Sequence, residues 1–75
     1  MLALNNTDFC FRKEDDNILL AYDVIHNKMY FLRGNTRIFI EELMHGKKTC
    51  NLDDKYINYL IEKGIIIGGN NNEAQ

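Results

Sequence analysis

The apolar residues of this chain repeat with a period of two in its first half and with a period of about 3.6 in its second half. Alternation of apolar and polar residues is typical of a half-buried β-strand, whereas apolar residues at i, i+3 and i+4 are typical of an amphipathic helix. The change occurs near Gly34. Because strands are followed by helices, the pattern predicts an α+β fold.

Three segments of the first half show the alternation. In the first segment, Phe9 and Phe11 lie on one face, with Cys10 and Arg12 on the other. A tight turn is expected around Asn27, because asparagine tolerates the left-handed conformation that such turns require. The pattern predicts strands over residues 8–13, 18–25 and 28–33, arranged as a three-stranded antiparallel sheet.

Two helices are predicted after Gly34. Asn35 is the expected N-cap of the first, over residues 36–44, and Asn51 is the expected N-cap of the second, which runs to about Lys63 and ends at Gly64. Glu41 and Glu42 of the first helix are expected to be solvated. The predicted inner faces carry Phe39, Ile40, Leu43 and Met44 in the first helix and Ile57, Leu60 and Ile61 in the second.

The segments outside these elements complete one domain. Residues 65–67 are a short apolar run that is expected to close the core as a return strand. Residues 68–75 have nothing to bury, so we expect a disordered tail. The predicted organisation is an N-terminal extension at residues 1–7, a folded domain at residues 8–67 and the tail.

Length and charge restrict what such a chain can do. Its 75 residues allow one small core, with little room for an enclosed active site. The common catalytic motifs are missing, so we expect neither enzymatic activity nor a cofactor. Eleven acidic residues outnumber nine basic ones, which argues against a nucleic-acid partner. No segment approaches the ~18 apolar residues of a membrane span, so we expect no membrane partner and a cytoplasmic location.

The two cysteines, Cys10 and Cys50, lack the spacing of a metal-binding pair. Reduced, partly buried thiols are therefore expected, as is usual in the cytoplasm. A disulfide between them in an oxidising compartment is one alternative. A zinc site formed by both cysteines with His26 and His45 is another, although no ligand spacing favours it, and no metal is expected.

Two stretches of the sequence resemble a known family. The first is DNILLAYDVIHNKMYFLRGNTRIFIEELMHGKK, in which a strand pair leads through a polar turn into a helix, and the second is INYLIEKGIII. Together they resemble the PqqD-like domain, the precursor-peptide recognition element, which is a winged helix-turn-helix variant. The resemblance covers residues 8–67. Family members carry a further short helix where this chain has Lys47 to Asn51, so the expected fold has two helices, or three if one turn survives there.

The resemblance implies a non-catalytic peptide-binding function. In the family, the leader of a ribosomally synthesised precursor peptide adds as a strand to the open edge of the third strand, beside the last helix, and is presented to a separate modifying enzyme such as a radical SAM enzyme, a cyclase or a leader peptidase. Main-chain hydrogen bonds of this kind supply affinity, and side-chain pockets supply specificity. The implied binding residues are Lys28, Met29, Tyr30, Phe31, Leu32, Arg33, Lys55, Tyr56, Tyr59 and Lys63.

Other interpretations of the same residues compete with this one. Tyr56 and Tyr59 also fit the border of a core, and Lys28 and Arg33 also fit an edge strand protected from aggregation by charge. Homodimerisation through the same edge is the main structural alternative. A small winged-helix DNA-binding or regulatory protein is the alternative function, and an accessory subunit that only stabilises an enzyme is a third. Within the peptide-binding hypothesis, Tyr30 is expected to supply an N–H group at the edge.

Overall fold

The half of the chain with a period of two forms three antiparallel strands, as predicted. In the computed structural model, which describes residues 2–47 and 51–68, this sheet has the order β2-β3-β4, and two helices follow it. The α+β class is therefore confirmed. In chain order the elements are β1 (Leu2–Leu4), β2 (Phe9–Lys13), β3 (Leu19–Asp23), β4 (Lys28–Leu32), α1 (Gly34–Met44), α2 (Asp54–Glu62) and β5 (Ile66–Gly68).

A regular register joins the three strands. Phe9 of β2 lies opposite Asp23 of β3, which in turn lies opposite Lys28 of β4. The turn between β3 and β4 contains Asn27 at a φ of 55°, the left-handed conformation expected for this residue. Since β3 is central, β2 and β4 are the two edges of this sheet.

A second, two-stranded sheet joins the two ends of the described chain. β1 pairs antiparallel with β5, with Leu2 opposite Gly68. The amide Nδ2 of Asn5 also donates a hydrogen bond to the Gly64 carbonyl oxygen at 2.9 Å. The sequence pattern predicts the return strand but not β1, because a three-residue strand is too short for alternation to be recognised. The predicted extension over residues 1–7 therefore contains a strand of the fold.

The core lies between the three-stranded sheet and the helices. Phe9 of β2 is buried there, and Ile40 of α1 and Leu60 of α2 are fully buried. Two residues of the predicted inner faces are instead exposed: Ile61 by 38% and Met44 by 43%. The buried cluster consists of Phe9, Leu19, Ala21, Leu32, Phe39, Ile40, Leu60, Ile65 and Ile66.

Several helix boundaries and exposures differ from the predictions. α1 begins at Gly34 directly after Arg33, and α2 follows Asp53, so neither Asn35 nor Asn51 is the N-cap. Arg33 is the single residue between β4 and α1 and occupies the N-cap position without a side-chain capping hydrogen bond. Glu41 and Glu42, expected to be solvated, are half-buried.

The end of α2 is as predicted. Gly64 has a φ of 80°, which favours glycine, and the Ile65 N–H donates a hydrogen bond to the Leu60 carbonyl oxygen at 2.9 Å. Two predictions fall wholly or partly outside the described residues: the thiol of Cys50 and the additional helical turn near residues 48–50. The predicted tail over residues 68–75 is wrong at Gly68, which pairs with Leu2 as the last residue of β5, and residues 69–75 lie outside the described residues.

Candidate functional site

A groove lies between the edge strand β4 and helix α2. Its volume is about 420 Å³. Thr36 also lines it, because α1 begins immediately after β4 and places its first turn beside the strand. The sequence analysis missed Thr36, which no pattern distinguishes from other helix residues. The lining of this β4–α2 groove is Met29, Tyr30, Phe31, Leu32, Arg33, Thr36, Tyr56 and Tyr59.

The hydrogen bonds that flank β2 and β3 establish which way each backbone group points. The Val24 N–H donates to the Asp8 carbonyl at 2.9 Å, and the Glu14 N–H donates to the Ile18 carbonyl at 3.0 Å. Both pairs belong to the register that joins β2 to β3. Since bonded and non-bonded pairs alternate in an antiparallel ladder, the even-numbered residues of β3 bond to β2 and the odd-numbered ones bond to β4.

The same alternation identifies the unpaired groups of β4. The register opposes odd-numbered residues of β3 to even-numbered residues of β4. Lys28, Tyr30 and Leu32 therefore bond to β3, whereas the N–H and C=O groups of Met29 and Phe31 point away from the sheet. Tyr30 is thus not an edge donor, contrary to the expectation from the sequence. The free edge offers the backbone of Met29 and Phe31.

The side chains of β4 divide between the two faces of the sheet. Leu32 is buried, and the ring of Tyr30 lies 6.2 Å from that of Phe9 at the border of the core. Met29 and Phe31, on the opposite face, are 60% and 50% exposed. Large apolar side chains are thus exposed beside the unpaired backbone groups, as expected for a surface that binds another chain.

Two tyrosines of α2 form the other wall of the groove. Tyr56 and Tyr59 are each exposed by nearly half, at 45% and 44%. The Nζ atom of Lys55 lies 5.1 Å from the centre of the Tyr56 ring, and that of Lys63 lies 5.7 Å from the centre of the Tyr59 ring. Both distances fall within the range of cation–π contacts. The predicted lysines therefore flank the aromatic wall without lining the groove.

Most lysine and arginine side chains elsewhere in the described part of the chain form an ion pair, whereas those around the groove form none. Arg12 pairs with Glu14 and Arg37 pairs with Glu41, each at 2.8 Å. Within residues 2–47 and 51–68, no acidic group forms an ion pair with any of the four cations around the groove. These four are Lys28, Arg33, Lys55 and Lys63.

A larger apolar hollow of about 1030 Å³ lies beside the opposite edge strand, β2, and is lined in part by β1 and the end of α1. Lys47 is the one charged residue in its lining. The edge of β2 is partly used, because the Phe9 N–H donates to the Asn5 carbonyl oxygen at 3.1 Å. The β2 edge is thus partly occupied and its hollow is lined by one cation, whereas four cations without an ion-pair partner surround the β4–α2 groove.

Among the described residues, the histidine and cysteine side chains that could support catalysis or metal binding either have a structural partner or lie apart from other such groups. Nδ1 of His26 lies 2.8 Å from Oδ2 of Asp23, in the turn before β4. Cys10, expected to be partly buried, is an exposed free thiol, because its side chain lies on the face of β2 opposite to the buried Phe9. The described part of the chain contains no cluster of three or more His, Cys, Asp or Glu side chains able to hold a metal ion. No helix within that part is long and apolar enough to cross a membrane.

Asp23 is buried, and its environment predicts a pH-dependent stability. Burial acts to raise the pKa of Asp23, but hydrogen bonds from His26 and Ile25, with the nearby charge of His26, lower it overall. A lowered pKa means that the ionised carboxylate stabilises the fold above the ordinary value of 3.8, and that this contribution is lost as the pH falls through the lower folded-state pKa.

Asp23→Asn tests this dependence. We expect the difference in urea midpoint between the parent and this variant to be present at about pH 5 and to shrink as the pH falls through the lowered folded-state pKa of Asp23. Other carboxylates titrate equally in both proteins, so the difference isolates Asp23. An unchanged difference over this interval would show that Asp23 contributes nothing through its charge.

Comparison of the chain with protein-family models, with curated proteins and with solved structures finds no match to any of the three.

Proposed function

We propose that this chain is a non-catalytic peptide-binding module with a winged-helix-like, PqqD-like architecture, acting in the cytoplasm. It binds the leader of a ribosomally synthesised precursor peptide as an added strand on β4 and presents that peptide to a separate modifying enzyme. The observation that carries the proposal is the free edge of β4, where the backbone of Met29 and Phe31 is unpaired beside an aromatic groove. No cofactor is needed for such a function.

Binding of the leader raises the local concentration of the precursor peptide at the modifying enzyme. A tethered leader keeps the remainder of the precursor close to the enzyme, so the second encounter becomes effectively intramolecular. The module needs only to bind the leader reversibly, which suits a domain whose buried residues are used for its own core.

Charge argues against homodimerisation through the same edge. An antiparallel pair of β4 strands related by a two-fold axis would place Lys28 of one copy beside residues 32–34 of the other, next to its Arg33. Like charges at neighbouring cross-strand positions destabilise such pairing. Neither of these cations has an acidic partner among the described residues that would offset the repulsion.

Selection from a random peptide display library on the immobilised protein tests the proposal directly. We expect enriched peptides to bind more tightly than their scrambled forms when binding is measured by fluorescence anisotropy. They should also bind more tightly than duplex DNA that carries the same fluorescent label. If no peptide is enriched over an unrelated immobilised protein of similar size, the chain is not a peptide-binding module of this kind. Preferential binding of DNA would favour the regulatory alternative.

Tyr59→Ala tests the groove itself. Removing this half-exposed ring should weaken binding of an enriched peptide about tenfold, because buried aromatic anchors commonly contribute more than ~1 kcal/mol at interfaces. Ile67→Ala is the matched control, since Ile67 is also half-exposed but lies on β5, outside the groove lining. Equal affinities for the Tyr59 variant and the parent would exclude this wall of the groove from the binding site.

A further inference from the structure

The geometry of β4 determines which side chains of an added strand would face α2. Neighbouring residues on adjacent strands place their side chains on the same face of a sheet, and successive residues alternate between faces. Side chains opposite Tyr30 and Leu32 therefore point to the side of the sheet on which the core and helices lie. There they meet the groove that Tyr56 and Tyr59 also line. Apolar residues at every second position suit that surface.

Charge adds a second requirement at the ends of the bound segment. Lys28 begins β4 and Arg33 directly follows it, so a cation stands at each end of the free edge. Lys55 lies beside Tyr56, and Lys63 beside Tyr59. Because these cations have no ion-pair partner in the described part of the chain, carboxylates of a bound peptide would meet uncompensated positive charge.

Acidic residues stand near both ends of the free edge without forming an ion pair with its cations. Arg33 and Tyr56 share a small adjoining hollow with Asp53, but Asp53 forms no ion pair with Arg33. At the other end, Asp23 lies opposite Lys28 in the register, but its carboxylate is buried and accepts hydrogen bonds from residues 25 and 26. Lys28, Arg33 and Lys63, which follows α2, are therefore each available to a carboxylate of a bound peptide.

We infer that the peptide bound on β4 is acidic: an extended segment with apolar side chains at alternate positions and at least one carboxylate beside Lys28 or Lys63. This inference rests on the proposed function, since it describes the ligand of the same groove. It makes the acidic net charge of the chain, -2, a poor guide to its partner, because the one charged residue that lines the groove is Arg33 and lysines flank it.

The experiment compares enriched peptides with their amide counterparts, in which glutamine or asparagine replaces each glutamate or aspartate. We expect the replacement to weaken binding about tenfold at low salt and less at high salt, where exposed charges are screened. Lys28→Glu and Lys63→Glu should weaken binding of the acidic peptide similarly and improve binding of a peptide with lysine at those positions. Lys13→Glu, on the opposite edge strand, is the control and should have no effect.

The outcomes separate this inference from the proposed function. If peptides are enriched but are neutral or basic, and the amide counterparts bind as well as the acidic forms, the groove binds peptides and the inferred ligand chemistry is wrong. If no peptide is enriched at all, the proposed function itself fails. Loss of binding with Lys13→Glu as large as with Lys28→Glu would point to a general charge effect and would also overturn the inference.

Discussion

Phe31→Pro is expected to abolish most peptide binding while leaving the chain folded. Proline has no backbone N–H, and the Phe31 N–H points out from the edge of the sheet, where a proline is tolerated. A bound peptide would lose one main-chain hydrogen bond and keep an unsatisfied carbonyl. Such a group costs about 1–3 kcal/mol, which corresponds to roughly a 5- to 150-fold loss of affinity. Fluorescence anisotropy with an enriched peptide measures this loss, and circular dichroism establishes that the fold persists.

Two matched variants isolate the backbone group from the side chain. Phe31→Ala removes the same half-exposed ring but retains the N–H, so it should bind more tightly than Phe31→Pro. Tyr30→Pro removes an N–H that bonds to β3, so it should lower the free energy of unfolding instead. Equal affinity of the proline and alanine variants at position 31 would mean that no strand is added there. If the Tyr30→Pro variant folds normally but no longer binds the peptide, Tyr30 supplies the free N–H at the edge, and the assignment of that role to Phe31 is wrong.

Leu60→Ala is expected to lower the free energy of unfolding by about 2–5 kcal/mol, because it removes a fully buried side chain and leaves a cavity. A chain of 75 residues has a total stability of about 4–11 kcal/mol, so this single change could remove much of it. Leu60 belongs to the same buried cluster as Phe9 and Ile66, which come from opposite ends of the chain. Urea denaturation followed by circular dichroism measures the change.

Ile61→Ala is the control, because Ile61 is the neighbouring residue of α2 and is 38% exposed. Its truncation should cost less than ~1.5 kcal/mol, since much of the removed surface already contacts water. The sequence pattern alone assigns both residues to the inner face and predicts similar losses. If the Ile61 variant is as destabilised as the Leu60 variant, both side chains face the core, and the orientation of α2 that buries Leu60 and exposes Ile61 is incorrect.

The change of hydrophobic period was enough to predict the three-stranded sheet and the two helices. It also identified residues that the structure places around one groove, because β4 and the segment from Tyr56 to Tyr59 are each continuous in sequence and regular elements preserve their spacing. It did not predict the caps. Arg33 alone connects β4 to α1 and is its N-cap, and this connection depends on how the sheet meets the helix rather than on the preference of Asn35 for N-cap positions.

Long-range pairing was beyond the reach of the sequence pattern. β1 exists because Leu2 meets Gly68 and because Asn5 bonds to the backbone at Gly64. A strand of three residues has little preference of its own, so its partner decides whether it forms. The same holds for exposure at the border of the core, where Ile61 and Leu60 have the same hydrophobic character but different neighbours.

The sequence by itself determined the order of the three-stranded sheet and the two helices, the apolar character of β4 and the aromatic, basic flank of α2, because these depend on local periodicity. Only the tertiary structure decided that Met29 and Phe31, rather than Tyr30, present free backbone groups, because that choice follows from the ladder between β3 and its two neighbours. It also decided which cations are unpaired, because an ion pair requires two side chains to meet in space. Residue types are written in the sequence, whereas the free edge and the local charge arise from how the strands and helices pack.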